Sequence, residues 1–116
     1  MADVTIYHNP RCGTSRKTLD LIRRKGIEPK VIEYLKTPPT EKELDGILKL
    51  LGMNPRELIR TKEPEYKKYK LDRPDLSRAE LIAAMVQHPI LIQRPIVRSK
   101  GKAALGRPPE NVQQIL

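Results

Sequence analysis

The stretch "HNPRCGTS", residues 8 to 15, holds the one cysteine of this chain. Cys12 stands four residues after His8 and three before Ser15, between a proline turn and a glycine. If a helix opens just after it, its sulfur faces free backbone N–H groups and the positive end of the helix dipole, which favour thiolate over thiol. A free thiol, with a pKa of about 8.5, is only a few per cent ionised at neutral pH, so this placement is how a nucleophilic cysteine is built. Gly13 allows a substrate or a partner thiol close to the backbone, Ser15 can donate a hydrogen bond to sulfur, and His8, when protonated, adds a positive charge nearby. A plainer reading stands beside this one: a lone cysteine in a reducing compartment is more often an inert small residue in a turn.

Arg60, Arg94 and Arg107 each lie next to an expected element boundary, the last two directly before proline in "RPIV" and "RPPE". Guanidiniums converging on one loop would hold a tetrahedral oxyanion by paired hydrogen bonds that lysine cannot reproduce. Spacing does not bring them together, and among 23 basic residues any one arginine is by default a solvated surface charge. His88 before Pro89 fits a structural residue near a helix end. Met53 and Met85 fit core packing. Lys67, Lys68 and Lys70 fit solvated surface, with a secondary capacity to meet an acidic redox partner.

The elements that must position these residues follow from local signals. "VTIYHN" is a β-branched and aromatic run ended by Asn9 and Pro10, a strand entering a loop. Residues 14–25 have helical spacing, with Leu19 and Ile22 inward and Gly26 as the stop. "KVIEYL" is the next strand, which completes a βαβ unit with Cys12 in the loop feeding its helix. Thr40 with Glu43 makes a capping box for a helix that turns Leu44, Ile47, Leu48 and Leu51 inward and stops at Gly52. Asn54 and Pro55 open a short helix carrying Leu58 and Ile59, and Ser77 with Glu80 opens another through Leu81, Ile82 and Met85. The charged, proline-punctuated segment between them is a solvated helix and loop. "ILIQRPIVR" and "KAALG" form an antiparallel hairpin, and a last helix runs from about Pro108 through Val112 and Ile115. This order, βαβ, helices, ββα, resembles an α/β thioredoxin-like fold with a mixed sheet: one domain over 1–116 with a helical insertion at roughly 40–88.

Composition narrows the function classes. The chain has 116 residues, enough for a single core. No apolar run is long enough to cross a bilayer and the N-terminus lacks a signal-peptide pattern, so a soluble, cytoplasmic protein is expected. One cysteine makes no internal disulfide and, with two histidines, argues against a structural zinc site. Any redox chemistry at Cys12 must borrow its second thiol from another molecule. The net charge of +9 favours anionic partners. With four Tyr, no Phe and no Trp, the chain is short of stacking platforms for nucleic acid.

Taken together, "VTIYHNPRCGTSR", "YLKTPPT", "LLGM", "LIR", "QHPILIQRPIV" and "GRPPE" resemble the glutaredoxin-coupled, thioredoxin-like arsenate reductases, the ArsC family. The likeness runs in register from Val4 to Leu116. It implies an oxidoreductase of arsenical resistance that reduces arsenate to arsenite, with glutathione as thiol co-substrate, glutaredoxin as partner and no bound cofactor or metal. Residue by residue it implies Cys12 as the nucleophile that forms a covalent arsenic adduct, His8 as the group that helps lower the thiol pKa, and Ser15 as a hydrogen-bond donor to the thiolate. It also implies an oxyanion triad of Arg60, Arg94 and Arg107, with Gly13 and Thr14 beside the substrate. Pro95 matches the position where thioredoxin-like folds place a cis-proline. Arg11 sits at the variable position before the nucleophile, where it either adds a fourth cation or points to solvent. A monomer is expected. Two other readings share the fold: a glutathione-linked monothiol redox protein, suggested by C-x-x-S, and a transcription adaptor resembling the Spx type, in which Ser15 stands where a paired cysteine would be.

Overall fold

In the computed structural model, which describes residues 4–116, strand β1 (Val4–His8) lies inside a four-stranded sheet of order β2-β1-β3-β4. It pairs in parallel with β2 (Lys30–Glu33) and antiparallel with β3 (Ile96–Ser99), which pairs antiparallel with β4 (Lys102–Leu105). The parallel pair needs a crossover, and helix α1 (Gly13–Arg24) supplies it. The antiparallel pair needs only a tight turn, and Lys100 and Gly101, at φ 55° and 73°, provide the left-handed conformation of a two-residue hairpin. The two faces of β1 alternate, and Val4 and Ile6 meet Val97, Leu19, Ile22, Val112 and Ile115 in one cluster. α1 and the C-terminal segment therefore cover that face. Ile22 and Val97 are wholly buried, each stabilising the fold by about 1.5–3 kcal/mol. This mixed sheet with its crossover helix is the expected thioredoxin-like arrangement.

These elements belong to one of two compact units, Met1–Thr37 with Arg94–Leu116; the other is Pro38–Gln93. The second unit holds α2 (Glu41–Leu51), α3 (Pro55–Leu58), α4 (Pro64–Lys68) and α5 (Arg78–Gln87). The capping boxes at Thr40 with Glu43 and at Ser77 with Glu80 are both closed, and Asn54 makes a third with Glu57. α2 and α3 pack against α5, and Leu44, Ile47, Leu48, Leu58, Leu81, Ile82 and Met85 are buried. Leu51 and Met53 are half-buried. His88 follows α5 and stacks on Tyr69 with ring centroids 4.1 Å apart, while Lys67, Lys68 and Lys70 are exposed. Among the described residues no helix is long and apolar enough to cross a membrane.

Three elements differ from the sequence reading. The strand expected over "ILIQRPIVR" begins only at Ile96. Before it, Pro89–Leu91 forms a 3-10 turn and Ile92 makes an isolated bridge to Ile59. Pro95 has no N–H to give a ladder, so the strand starts after it. β2 ends at Glu33 instead of running through Leu35, because the Lys36 and Thr37 amides both turn back to the Glu33 carbonyl. The last helix is a 3-10 segment, Pro109–Ile115. It still buries Val112 and Ile115 as expected.

Candidate active site

The loop from Asn9 to Cys12 delivers the thiol to the start of α1. The Cys12 amide donates to the Asn9 carbonyl at 3.0 Å, and the Cys12 carbonyl accepts the first helical bond from Arg16 at 3.0 Å. Cys12 is the N-cap residue in an extended conformation, φ −92° and ψ 121°, so its side chain turns toward the free amides of the first turn. Partial burial raises the thiol pKa; the Ser15 amide, the Arg94 side chain as both hydrogen-bond donor and charge, and the Thr14 amide together hold it below the ordinary thiol value. The half-buried sulfur thus ionises more readily than an ordinary thiol.

Arg94 carries the other half of the arrangement. Its Nε and Nη1 atoms are buried and meet no acceptor among the described residues. Charged donors in that state call for an anion. Arg107 lies next to it, its Nη1 donating to the Arg94 carbonyl at 3.2 Å, and Asn111 holds the Arg107 carbonyl at 3.0 Å. Both X-Pro bonds that follow, Arg94–Pro95 and Arg107–Pro108, are cis; the resemblance pointed to the first and nothing in the sequence reading pointed to the second. Gly106 bonds back to the Pro95 carbonyl at 2.9 Å, and Thr18 of α1 donates to the Thr14 carbonyl at 2.9 Å and toward the Gly106 carbonyl at 3.4 Å. The first helical turn and the proline loop are thus tied by one hydroxyl.

His8 and Ser15 are brought together, though not in the roles first expected. Burial pulls the His8 imidazole below its ordinary value of 6.5; Arg23 and Arg16 add to this and Glu33 opposes it. A neutral ring at neutral pH does not supply the positive charge expected beside the thiol. Its Nδ1 lies 2.6 Å from Ser15 Oγ, which also accepts the Asn9 amide at 3.0 Å. The Ser15 hydroxyl is occupied by this pair, and the bond from Ser15 to sulfur comes from its main chain.

Of the remaining candidates, Arg11 is exposed and takes part through its amide, which donates to Asn9 Oδ1 at 3.0 Å. Arg60 lies in the helical unit, where its Nε donates to Glu63 at 3.2 Å and its Nη1 to Gln93 at 2.7 Å. The structure thus groups Cys12, His8, Ser15, Gly13, Thr14, Arg94 and Arg107 in one unit and gives Arg60 its own partners in the other. Sequence reading missed Asn9, taken only as a strand stop, and Arg16, which donates to the Pro10 carbonyl at 2.8 Å across the loop. The signal for Asn9 was present, since Asn before Pro is a turn former whose side chain caps its own loop.

Comparison with known proteins gives this arrangement relatives. The chain is 53% identical over 114 residues to the uncharacterized protein YfgD of Escherichia coli (strain K12), covering 97% of this chain and 96% of that one. It is 44% identical to the arsenate reductase of Neisseria meningitidis serogroup A over 117 residues, all of both chains. Among solved structures, the arsenate reductase from Vibrio cholerae superposes with a TM-score of 0.95 at 50% identity, over 97% of each chain. The model of the ArsC family matches residues 7–115, and with relatives aligned from end to end this chain belongs to the ArsC family.

Proposed function

We propose that the protein is an arsenate reductase in which Cys12 is the nucleophile and glutathione with glutaredoxin supplies the further thiols. The observation that carries the reading is the meeting at Cys12 of the Thr14 and Ser15 amides with Arg94, whose buried Nε and Nη1 have no acceptor among the described residues. The names of relatives aligned over their whole length agree with it. Arsenate is a tetrahedral oxyanion, and fixed guanidinium donors recognise that shape and charge. The Cys12 thiolate attacks arsenic, forming an S–As bond, while an arsenic-bound hydroxyl takes up a proton and leaves as water. Arsenic(V) becomes arsenic(III) only when it gains two electrons, and one cysteine cannot supply them and end unchanged. Two external thiols, ending as a disulfide, complete the balance and release arsenite and the free Cys12 thiol. Arg107, whose Nη1 donates to the Arg94 carbonyl, is the other cation this reading gives to the oxyanion, with Gly13 and Thr14 beside it. His8 and Ser15 support the thiolate by fixing the loop. The protein works in this reading as a cytoplasmic monomer.

Arsenate-dependent NADPH oxidation, coupled through glutathione reductase with glutathione and glutaredoxin, tests this. Turnover is expected in the wild type, with a loss of at least about a thousandfold in folded Cys12→Ser. Undiminished turnover in Cys12→Ser would overturn the reading, and no arsenate turnover alongside a rapid, Cys12-dependent reaction with a glutathionylated peptide would replace it with the monothiol reading.

A further inference from the structure

Asn9 is a buried polar residue, 4% exposed, that no expected role uses. Three of its groups are engaged, each at 3.0 Å. Its side-chain Oδ1 accepts the Arg11 amide, its carbonyl accepts the Cys12 amide, and its own amide donates to Ser15 Oγ. The first two bonds close a side-chain-capped turn over Asn9, Pro10, Arg11 and Cys12. The third ties that turn to the first turn of α1, six residues on, through the hydroxyl that also meets His8 Nδ1 at 2.6 Å. The Cys12 sulfur reaches the Thr14 and Ser15 amides only while its backbone stays at the extended N-cap geometry. The turn holds it there from one side and Ser15 from the other.

We propose that Asn9 is the positioning residue for the reactive thiol: its side-chain oxygen closes the turn that sets Cys12 over the α1 amides. The inference rests on Cys12 being the nucleophile, as set out above. Asn9 touches neither substrate nor sulfur in this role and acts through the placement of the Cys12 backbone.

Asn9→Ala removes the Oδ1 acceptor, while Asn9→Ser offers a hydroxyl that closes the same kind of turn. Both are compared with the wild type by the pH profile of Cys12 alkylation with iodoacetamide, by kcat and KM for arsenate, and by thermal midpoint. In Asn9→Ala, alkylation at pH 6 is expected to slow by about tenfold and its midpoint to move up, with kcat falling and KM for arsenate within about twofold. Asn9→Ser is expected to restore most of both. A folded Asn9→Ala with the wild-type alkylation midpoint overturns the proposal, and so does a serine variant that shifts as far as the alanine one. If Asn9→Ala does not fold, the serine variant decides alone: a wild-type midpoint supports the role and a raised one overturns it. Failure of the underlying reading looks different, because the wild-type protein would then alkylate with the midpoint of an ordinary thiol, or Cys12→Ser would keep its turnover.

Discussion

His8 ends β1, and the place that the strand gives it decides its charge. Its position beside Ser15 follows from β1 ending where the loop begins, and the seven-residue spacing brings the ring within 2.6 Å of the hydroxyl. The same strand position buries it, and burial disfavours imidazolium. A measurable consequence is a stability that depends on pH. Because the folded-state value lies below the ordinary 6.5, the unfolded chain binds more protons in the interval between the two. Stability is then complete above about 6.5 and is lost as the pH falls through it toward the folded value. The thiol gives a slope of the same sign at higher pH, since its folded value is also lowered, so the measurement belongs in a Cys12→Ser background. There, urea midpoints are expected to fall between pH 7.5 and 5.5, and His8→Gln to remove at least about half of that fall. Parallel slopes with and without His8 would mean that its burial is not what the acid reverses.

At the scale of elements, what the sequence announced was local. Thr40 with Glu43, Asn54 with Pro55, and Ser77 with Glu80 each span four residues or fewer and each opens the helix expected of it. The βαβ unit around Cys12 was legible for the same reason, since an apolar strand, a turn and a helical period follow one another directly. The approach of Gly106 to Pro95 and the 3-10 form of the last segment were not, because they depend on partners distant in sequence, as Val112 and Ile115 depend on α1 and β1. Gly106 is the sharpest case. Its φ is not what requires glycine; space is. A Cβ there would stand 2.5 Å from Thr18 Oγ1 and 2.7 Å from Pro95 Cγ, and both neighbours are buried with short or ring-locked side chains that cannot swing away. Gly106→Ala is expected to destabilise the fold by about 2 kcal/mol in urea unfolding. A change below about 0.5 kcal/mol would mean that α1 and the proline loop part more easily than the Thr18 bonds suggest.

For the whole molecule, the candidate site was legible as residue types, and its assembly was not. Cys12, Thr14 and Ser15 lie in one helical turn, whereas Arg94 joins them only because β3 pairs with β1 across some ninety residues of sequence. No spacing rule carries that information; the resemblance to a family did. What composition does carry is charge. The chain carries a net +9 and its site is read as taking an oxyanion, so the protein's field is expected to concentrate that substrate, a contribution screened over about 10 Å at 0.1 M salt and about 3 Å at 1 M. Raising potassium chloride from 0.05 to 0.5 M is expected to lower kcat/KM for arsenate several-fold, mostly through KM. Chloride itself also competes for guanidinium, so a neutral probe separates global from local effects. Iodoacetamide carries no charge to steer, and its reaction with Cys12 is expected to change by less than about twofold over the same range. If both reactions slow together, salt is acting on the thiolate and its neighbours. If arsenate turnover is indifferent to salt, the buried Arg94 donors select the anion by themselves and the excess charge elsewhere on the chain serves something other than this substrate.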